Sequence, residues 1–80
     1  MKTHELKILK PFFESVESGE KTFEIRKNDR GFQKGDRVIL QEVIGVDRFH
    51  TGRTITKKIT FVLGGWGLQE DYVALGLGEI

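Results

Sequence analysis

Three charged side chains of different chemistry lie close together in the segment Gly19–Arg30, GEKTFEIRKNDR. Lys21 supplies an ammonium group, Glu24 a carboxylate and Arg26 a guanidinium group. Glu24 and Arg26 are two residues apart, so on a β-strand they emerge on one face about 7 Å apart. Arginine binds phosphate through paired hydrogen bonds, and a carboxylate accepts hydrogen bonds from the amino groups of bases. The trio therefore allows two interpretations. It forms a surface that binds phosphate or a base, or Glu24 and Arg26 form a surface ion pair that contributes about 0–1 kcal/mol to stability.

The basic charge of the chain is concentrated beside this trio. The 80 residues carry a net charge of only +1, but residues 26–37 include five basic and two acidic side chains. A local excess of this kind attracts phosphate even in a nearly neutral protein. Lys27, Asn28, Asp29 and Arg30 are therefore candidate binding residues, and a solvated turn is the alternative interpretation.

Periodic patterns predict the elements that must position these residues. Alternation predicts five strands: His4–Leu9, a strand after Gly19, and strands within the ranges 37–46, 53–63 and 72–80. Pro11 and Gly19 suit the start and the end of a short helix, whose Phe12 and Phe13 are expected to cover the sheet. In the strand after Gly19, Phe23 and Ile25 are expected to face the core, with Glu24 and Arg26 on the opposite face.

Five strands and one early helix predict a β-rich α+β fold with a strongly curved, barrel-like sheet. Ten glycines suit the sharp bends of such a sheet. In the fourth strand the pattern predicts a shared buried face for Ile55, Ile59, Phe61 and Leu63, with a bulge or a curling edge at Lys57. The length predicts a single domain over 1–80 with a thin core.

Aromatic and histidine residues outside the trio allow two interpretations each. Trp66, the only tryptophan, lies between two glycines and would either stack on a base or, as we favour, plug the core. Phe32 is expected to anchor the basic loop, and His4 to cap the core with one bonded nitrogen. His50 is expected in a loop. Because the two histidines are far apart and the chain has no cysteine, we expect no metal site. The chain also lacks a phosphate-cradling Gly-Lys-Ser/Thr loop, so we expect no nucleotide hydrolysis of the P-loop kind, and we expect no cofactor.

The chain carries no sign of a membrane or secretory destination. No apolar run approaches the roughly 18 residues that span a bilayer, and no basic segment followed by an apolar one opens the chain. The absence of cysteine suits a reducing compartment. We therefore expect a cytoplasmic protein without a membrane partner.

The segment Gly19–Arg26 matches the G-x-K-x-x-E-x-R signature of the ASCH family, within the PUA-like superfamily. The likeness continues through residues 12–36, through Thr51–Arg53 and into the closing YVALGL. It is greatest with a small bacterial and phage ASCH-like subfamily of unknown function. The resemblance implies a PUA-like pseudo-barrel that binds RNA or a modified nucleotide in a cleft lined by Lys21, Glu24 and Arg26.

Two other functions are compatible with the resemblance and the residues. Some ASCH-like proteins are amidohydrolases on N4-acetylcytidine, and a related domain is a ribonuclease; in such an enzyme Lys21 would be the catalytic base. The amidohydrolases carry a threonine at the position of Glu24 and a catalytic glutamate in an insertion, for which only Glu70 or Asp71 could substitute here. The third possibility is a non-catalytic protein-interaction module, with contacts through Trp66, Phe49 and Leu68. We expect a binding protein rather than an enzyme.

Overall fold

The chain forms a five-stranded half-barrel with one short helix. The computed structural model describes residues 1–80. In chain order the elements are β1 (Thr3–Leu9), α1 (Lys10–Glu17), β2 (Phe23–Lys27), β3 (Arg37–Ile44), β4 (Phe49–Gly64) and β5 (Tyr72–Gly78). The predicted β-rich α+β fold, with five strands and one early helix, is confirmed.

The order of the strands across the sheet is β1-β3-β4-β5-β2. β1 pairs in parallel with β3, and the three other pairings are antiparallel. The two edges of the sheet are therefore β1 and β2, which run in opposite directions although only α1 and a short turn separate them in sequence. This topology brings the charged segment of the chain to an open edge of the half-barrel.

The first strand and the helix follow their sequence signals. Side chains of β1 alternate between exposed and buried, and Pro11 lies in the first turn of α1. Gly19, with a φ of +84°, reverses the chain after the helix. Phe13 is buried against the sheet as predicted, but Phe12 is half exposed, so only one of the two phenylalanines covers the core. The helix, with eight residues, is too short to cross a membrane.

The expected orientation of β2 is wrong. Phe23 and Ile25 are 46% and 50% exposed, whereas Glu24 is only 5% exposed. Arg26 is half-buried on the same side as Glu24. The charged residues therefore face inward, because the carboxylate of Glu24 is neutralised there by two cations, and the apolar residues of this edge strand face outward.

A bulge in β4 reverses the expected burial of its second half. The pairing of β4 with β5 shifts register between Ile59 and Phe61, three residues beyond the interruption predicted at Lys57. Ile59 is fully buried, but Phe61 is 59% exposed, and Val62 packs against the core instead. The extra residue changes which side chains point inward for the remainder of the strand.

β4 also begins earlier than the sequence predicts. The connection from β3 is only the four-residue turn Gly45–Arg48, and Phe49 already pairs with Ile44. His50, predicted in a loop, is therefore an exposed strand residue.

The core contains one buried polar pair among its apolar side chains. His4 Nε2 donates to Asp36 Oδ2 at 2.9 Å, and the His4 ring packs edge-on against Phe32 with centroids 4.7 Å apart. These contacts confirm the predictions for both His4 and Phe32. The prediction that Trp66 plugs the core is wrong, because its side chain is 89% exposed. It lies on a turn whose backbone directs the indole into solvent.

Candidate ligand-binding cleft

A cleft of about 460 Å³ lies between the two edge strands of the half-barrel. One wall consists of the end of β1 and the start of α1, namely Lys7–Leu9 and Phe12. The other wall contains Lys21 and all of β2, and Arg48 and Tyr72 complete the lining. The volume falls within the roughly 300–1,000 Å³ typical of ligand pockets.

The predicted trio is assembled in this cleft around Glu24. Its Oε1 accepts a hydrogen bond from Lys21 Nζ, and its Oε2 accepts one from Arg26 Nε at 2.9 Å. Both oxygens of the buried carboxylate are thus occupied by cations. The sequence correctly predicted that the three residues meet and allowed an ion pair between Glu24 and Arg26, but it placed that pair on the outer surface rather than on the inner face of β2.

Local structure fixes Lys21 in place before the strand begins. Its backbone N–H donates to the carbonyl oxygen of Ser15 in α1 at 2.9 Å, and its Nζ also donates to the carbonyl oxygen of Phe23 at 2.8 Å. The ammonium lies 5.5 Å from the ring centre of Phe12 and 5.0 Å from that of Phe23. The Lys21 ammonium group is therefore fixed in position by hydrogen bonds to Glu24 and to the Phe23 carbonyl oxygen.

Two arginines, one on β2 and one in the loop that follows it, reach across to β1. Arg26 Nη2 donates to the backbone carbonyl oxygen of Lys7, and Arg30 Nη1 donates to that of Glu5 at 2.9 Å. No backbone hydrogen bond joins β1 to β2. The predicted binding residues Arg26 and Arg30 therefore also join the two sides of the half-barrel.

The charge around the cleft is strongly positive. Its charged lining side chains are one carboxylate, that of Glu24, and five cations: Lys7, Lys21, Arg26, Lys27 and Arg48. Of the cations, Lys21 and Arg26 are bonded to Glu24, whereas the side chains of Lys7, Lys27 and Arg48 form no ion pair. The unpaired cations can meet an anion directly.

The other predicted site residues have different positions. Asn28 is structural, because its Oδ1 accepts from the backbone N–H of Phe32 at 3.2 Å. Asp29 and Arg30 line a smaller cavity of about 150 Å³, which shares Arg26 and Lys27 with the cleft. Neither cavity is lined by Trp66, Glu70 or Asp71.

Two cationic lining residues, Lys7 and Arg48, were not among the candidates from the sequence. Tyr72 pairs with Lys27 in the sheet and reaches the cleft as the first residue of β5. Lys7 and Arg48 come from β1 and from the turn before β4, so only the strand order brings them to the site. No local sequence signal distinguishes them from other surface cations.

A third buried carboxylate, which the sequence did not reveal, stabilises the helix side of the molecule. Glu42, 2% exposed, accepts hydrogen bonds from Arg53 Nη2 at 2.9 Å and from Thr51 Oγ1 at 2.6 Å. The hydrogen bond from Arg53, and then that from Thr51, lowers the pKa of Glu42. The Arg53 guanidinium also lies 4.8 Å from the centre of the Phe13 ring. This cluster borders no cavity and joins β3, β4 and α1.

The chain is similar to a known protein family and to a phage protein. The model of a family described as "Domain of unknown function (DUF3850)" matches residues 3–77. An uncharacterised 12.9 kDa protein in the GpA 3′ region of Escherichia phage P2 is 43% identical over 83 residues. That match covers 99% of this chain and 72% of the phage protein.

Proposed function

Because this chain belongs to the DUF3850 family, whose function is unknown, we propose a function from the cleft itself: it binds a phosphate-bearing nucleotide, free or within single-stranded RNA. The half-barrel would then be a PUA-like domain of the ASCH type. The observation that carries the proposal is the charge of the cleft: its lining contains five cations and only one carboxylate, and the other six lining residues are hydrophobic.

The charge of the cleft favours an anionic ligand. The ion pairs of Glu24 compensate one of the two cations bound to it, and Lys7, Lys27 and Arg48 add three uncompensated charges. In a concave site, charges of one sign reinforce each other and raise the local concentration of the opposite ion. In complexes with nucleic acids, lysine and arginine bind mostly to the phosphate oxygens of the backbone.

The apolar side chains of the lining favour a ligand that also has a flat, weakly polar part. Half of the twelve lining residues are hydrophobic, and Phe12 and Phe23 are each about half exposed. Aromatic rings exposed in a cleft stack on nucleobases with about 1–3 kcal/mol per base. A nucleotide combines this flat group with phosphate, so it matches both the apolar and the cationic side chains of the lining.

The geometry of the trio favours binding over hydrolysis. A general base needs a free lone pair within reach of a substrate proton, but Lys21 is bonded to Glu24 and to the Phe23 carbonyl. Glu70 and Asp71, the acids considered as substitutes for a catalytic glutamate, lie outside the cleft. We therefore propose a binding domain, with Lys21 and Glu24 as the supports of Arg26.

NMR titration of the labelled protein with nucleosides, nucleotides and short single-stranded RNAs tests the proposal. Shifts are expected at Lys21, Arg26, Lys27 and Tyr72, and the affinity is expected to fall as salt rises, because phosphate contacts release counterions. Lys27→Ala should weaken binding, whereas Lys58→Ala, an exposed lysine outside the cleft, should not.

Two results would contradict the proposal. Equal losses in Lys27→Ala and Lys58→Ala would indicate diffuse charge attraction rather than a site. The absence of shifts in the cleft at millimolar ligand would remove nucleotide binding and leave a protein-interaction role, for which the exposed Trp66 and Phe49 are the first surfaces to test.

A further inference from the structure

Arg48 occupies a backbone position that usually belongs to glycine. It ends the turn between β3 and β4, where its N–H donates to the carbonyl oxygen of Gly45 at 3.1 Å. Its φ is +56°, in the left-handed region that disfavours residues with a Cβ atom. Hairpin turns commonly have glycine or asparagine at such a position. A long cationic side chain here breaks the local preference, and such departures are typical of functional positions.

The side chain of Arg48 is available to a ligand. It lines the cleft and forms no hydrogen bond or ion pair with another residue, although Asp47 is its neighbour in sequence. By contrast, the guanidinium of Arg26, in the same cleft, is bonded to Glu24 and to the Lys7 carbonyl. Arg48 is therefore the arginine of the cleft whose donors are unoccupied.

The topology places Arg48 at one particular end of the cleft. Leu9, the last residue of β1, pairs with Val43, and the next pair of the adjoining hairpin is Ile44 with Phe49. Arg48 is thus beside the end of β1, whereas the pair formed by Lys27 and Tyr72 is at the far end of β2.

We propose that Arg48 forms a phosphate-binding subsite at the β1 end of the cleft. Its guanidinium would bind two phosphate oxygens in parallel, a geometry that a lysine cannot reproduce. The inference rests on the proposed function and adds to it the position of the phosphate. It also explains why an arginine, rather than glycine, is present in this turn.

The substitution Arg48→Gly distinguishes a role of the Arg48 side chain in binding from a role in folding, because the two roles predict different changes in Tm and in affinity. Glycine relieves the left-handed backbone, so Tm should be no lower than that of the wild type and could rise by up to roughly 4–8 °C. Affinity for uridine 5′-monophosphate should fall about tenfold or more, since the lost hydrogen bonds involve two charged groups. Affinity for uridine should change little.

Trp66→Gly is the matched control. Trp66 also has a left-handed φ, +55°, but its side chain lies outside the cleft. The same backbone relief is expected there without loss of affinity for the nucleotide. If Arg48→Gly fails to fold, Arg48→Asn tests the same point, because asparagine tolerates this backbone region.

The same titrations distinguish failure of the subsite from failure of the proposed function. If the wild type and Arg48→Gly bind the nucleotide equally well, the nucleotide cleft remains but the Arg48 subsite is wrong. If inorganic phosphate shifts Arg48 while uridine and its monophosphate cause no shift in the cleft, the subsite remains and nucleotide binding is wrong. If none of the three ligands shifts the cleft, both proposals are overturned.

Discussion

The guanidinium of Arg26, on β2, is hydrogen-bonded to the backbone carbonyl oxygen of Lys7, on β1, across the opening of the half-barrel. The same arginine binds Glu24 from its own strand. One side chain thus joins the two edges of the sheet and fixes the acid at the base of the cleft. The cleft and the closure of the fold depend on the same residue.

Replacing Arg26 by lysine should therefore destabilise the protein. Lysine cannot bond Glu24 and the Lys7 carbonyl with one planar fork, so a loss of about 1–2 kcal/mol in the free energy of unfolding is expected. Urea denaturation measures it. Arg37→Lys is the control, because the Arg37 side chain is exposed and forms no ion pair, and it should stay within about 0.5 kcal/mol. Equal effects would show that Arg26 does not join the two edges.

Glu24→Gln tests the buried carboxylate. The substitution leaves Lys21 and Arg26, whose side chains are 17% and 25% exposed, without their counter-ion. A loss of about 2–4 kcal/mol is expected from urea denaturation, since breaking a buried pair leaves an uncompensated charge. Glu20→Gln, in the exposed turn before β2, should cost less than about 0.5 kcal/mol. If Glu24→Gln leaves the free energy of unfolding unchanged, the trio is an ordinary surface cluster.

The His4–Asp36 pair predicts a dependence of stability on pH. Hydrogen bonds from His4 and from the backbone N–H of Lys2 lower the pKa of Asp36 from 3.8 to about 2. A carboxyl group whose pKa is depressed by folding stabilises the native state above its unfolded pKa and loses that effect as pH falls through the folded value. The stabilisation should be complete above about pH 4 and disappear near pH 2.

Urea midpoints of the wild type and of Asp36→Asn, measured from pH 2 to 6, check this prediction. The difference between them should be largest above pH 4 and should shrink toward pH 2. Asp47→Asn, in the exposed turn before β4, should follow the wild type throughout. A difference that does not vary with pH would rule out the carboxylate charge as its source.

Gly76 should not tolerate a side chain. A Cβ atom there would lie 2.7 Å from Thr60 Oγ1 and 3.5 Å from Phe61 Cβ, at the bulge of β4. Gly76→Ala is expected to cost about 1–3 kcal/mol. Gly64→Ala is the control, because its nearest neighbour would be Val73 Cγ1 at 3.7 Å.

A double-mutant cycle tests whether that contact is the cause. Thr60 is exposed, so Thr60→Ala alone should have little effect, and it should restore most of the stability lost in Gly76→Ala. Additive losses would mean that the cost arises from the β5 backbone rather than from the contact with Thr60.

Sequence patterns predicted elements better than they predicted which face of an element is buried. Alternation locates a strand without depending on its surroundings, so β1 and β5 were found close to their observed bounds. For β2 the same alternation was assigned to the wrong face, because burial was assumed to follow hydrophobicity. Glu24 can be buried only because Lys21 and Arg26 bind it, and that compensation depends on tertiary geometry.

The candidate site was predictable where its residues are adjacent in sequence. Lys21, Glu24 and Arg26 lie within six positions, so one motif revealed them. Arg48 and Lys7 come from separate elements, and their approach requires the strand order and the short β3–β4 turn. Trp66 is the opposite case, a residue that was singled out from the sequence but placed wrongly. It was expected in the core and lies in solvent.

The unpaired edges of β1 and β2 have a consequence for how this protein behaves at high concentration. An open sheet edge invites strand addition by another chain, which leads to domain swapping or aggregation. Here Arg26 and Arg30 occupy carbonyl oxygens of β1, and Lys21 occupies the Phe23 carbonyl of β2. These cations repel a second copy of the same edge while they cap its acceptors. Strand addition by a second copy at these edges would therefore have to displace these three hydrogen bonds.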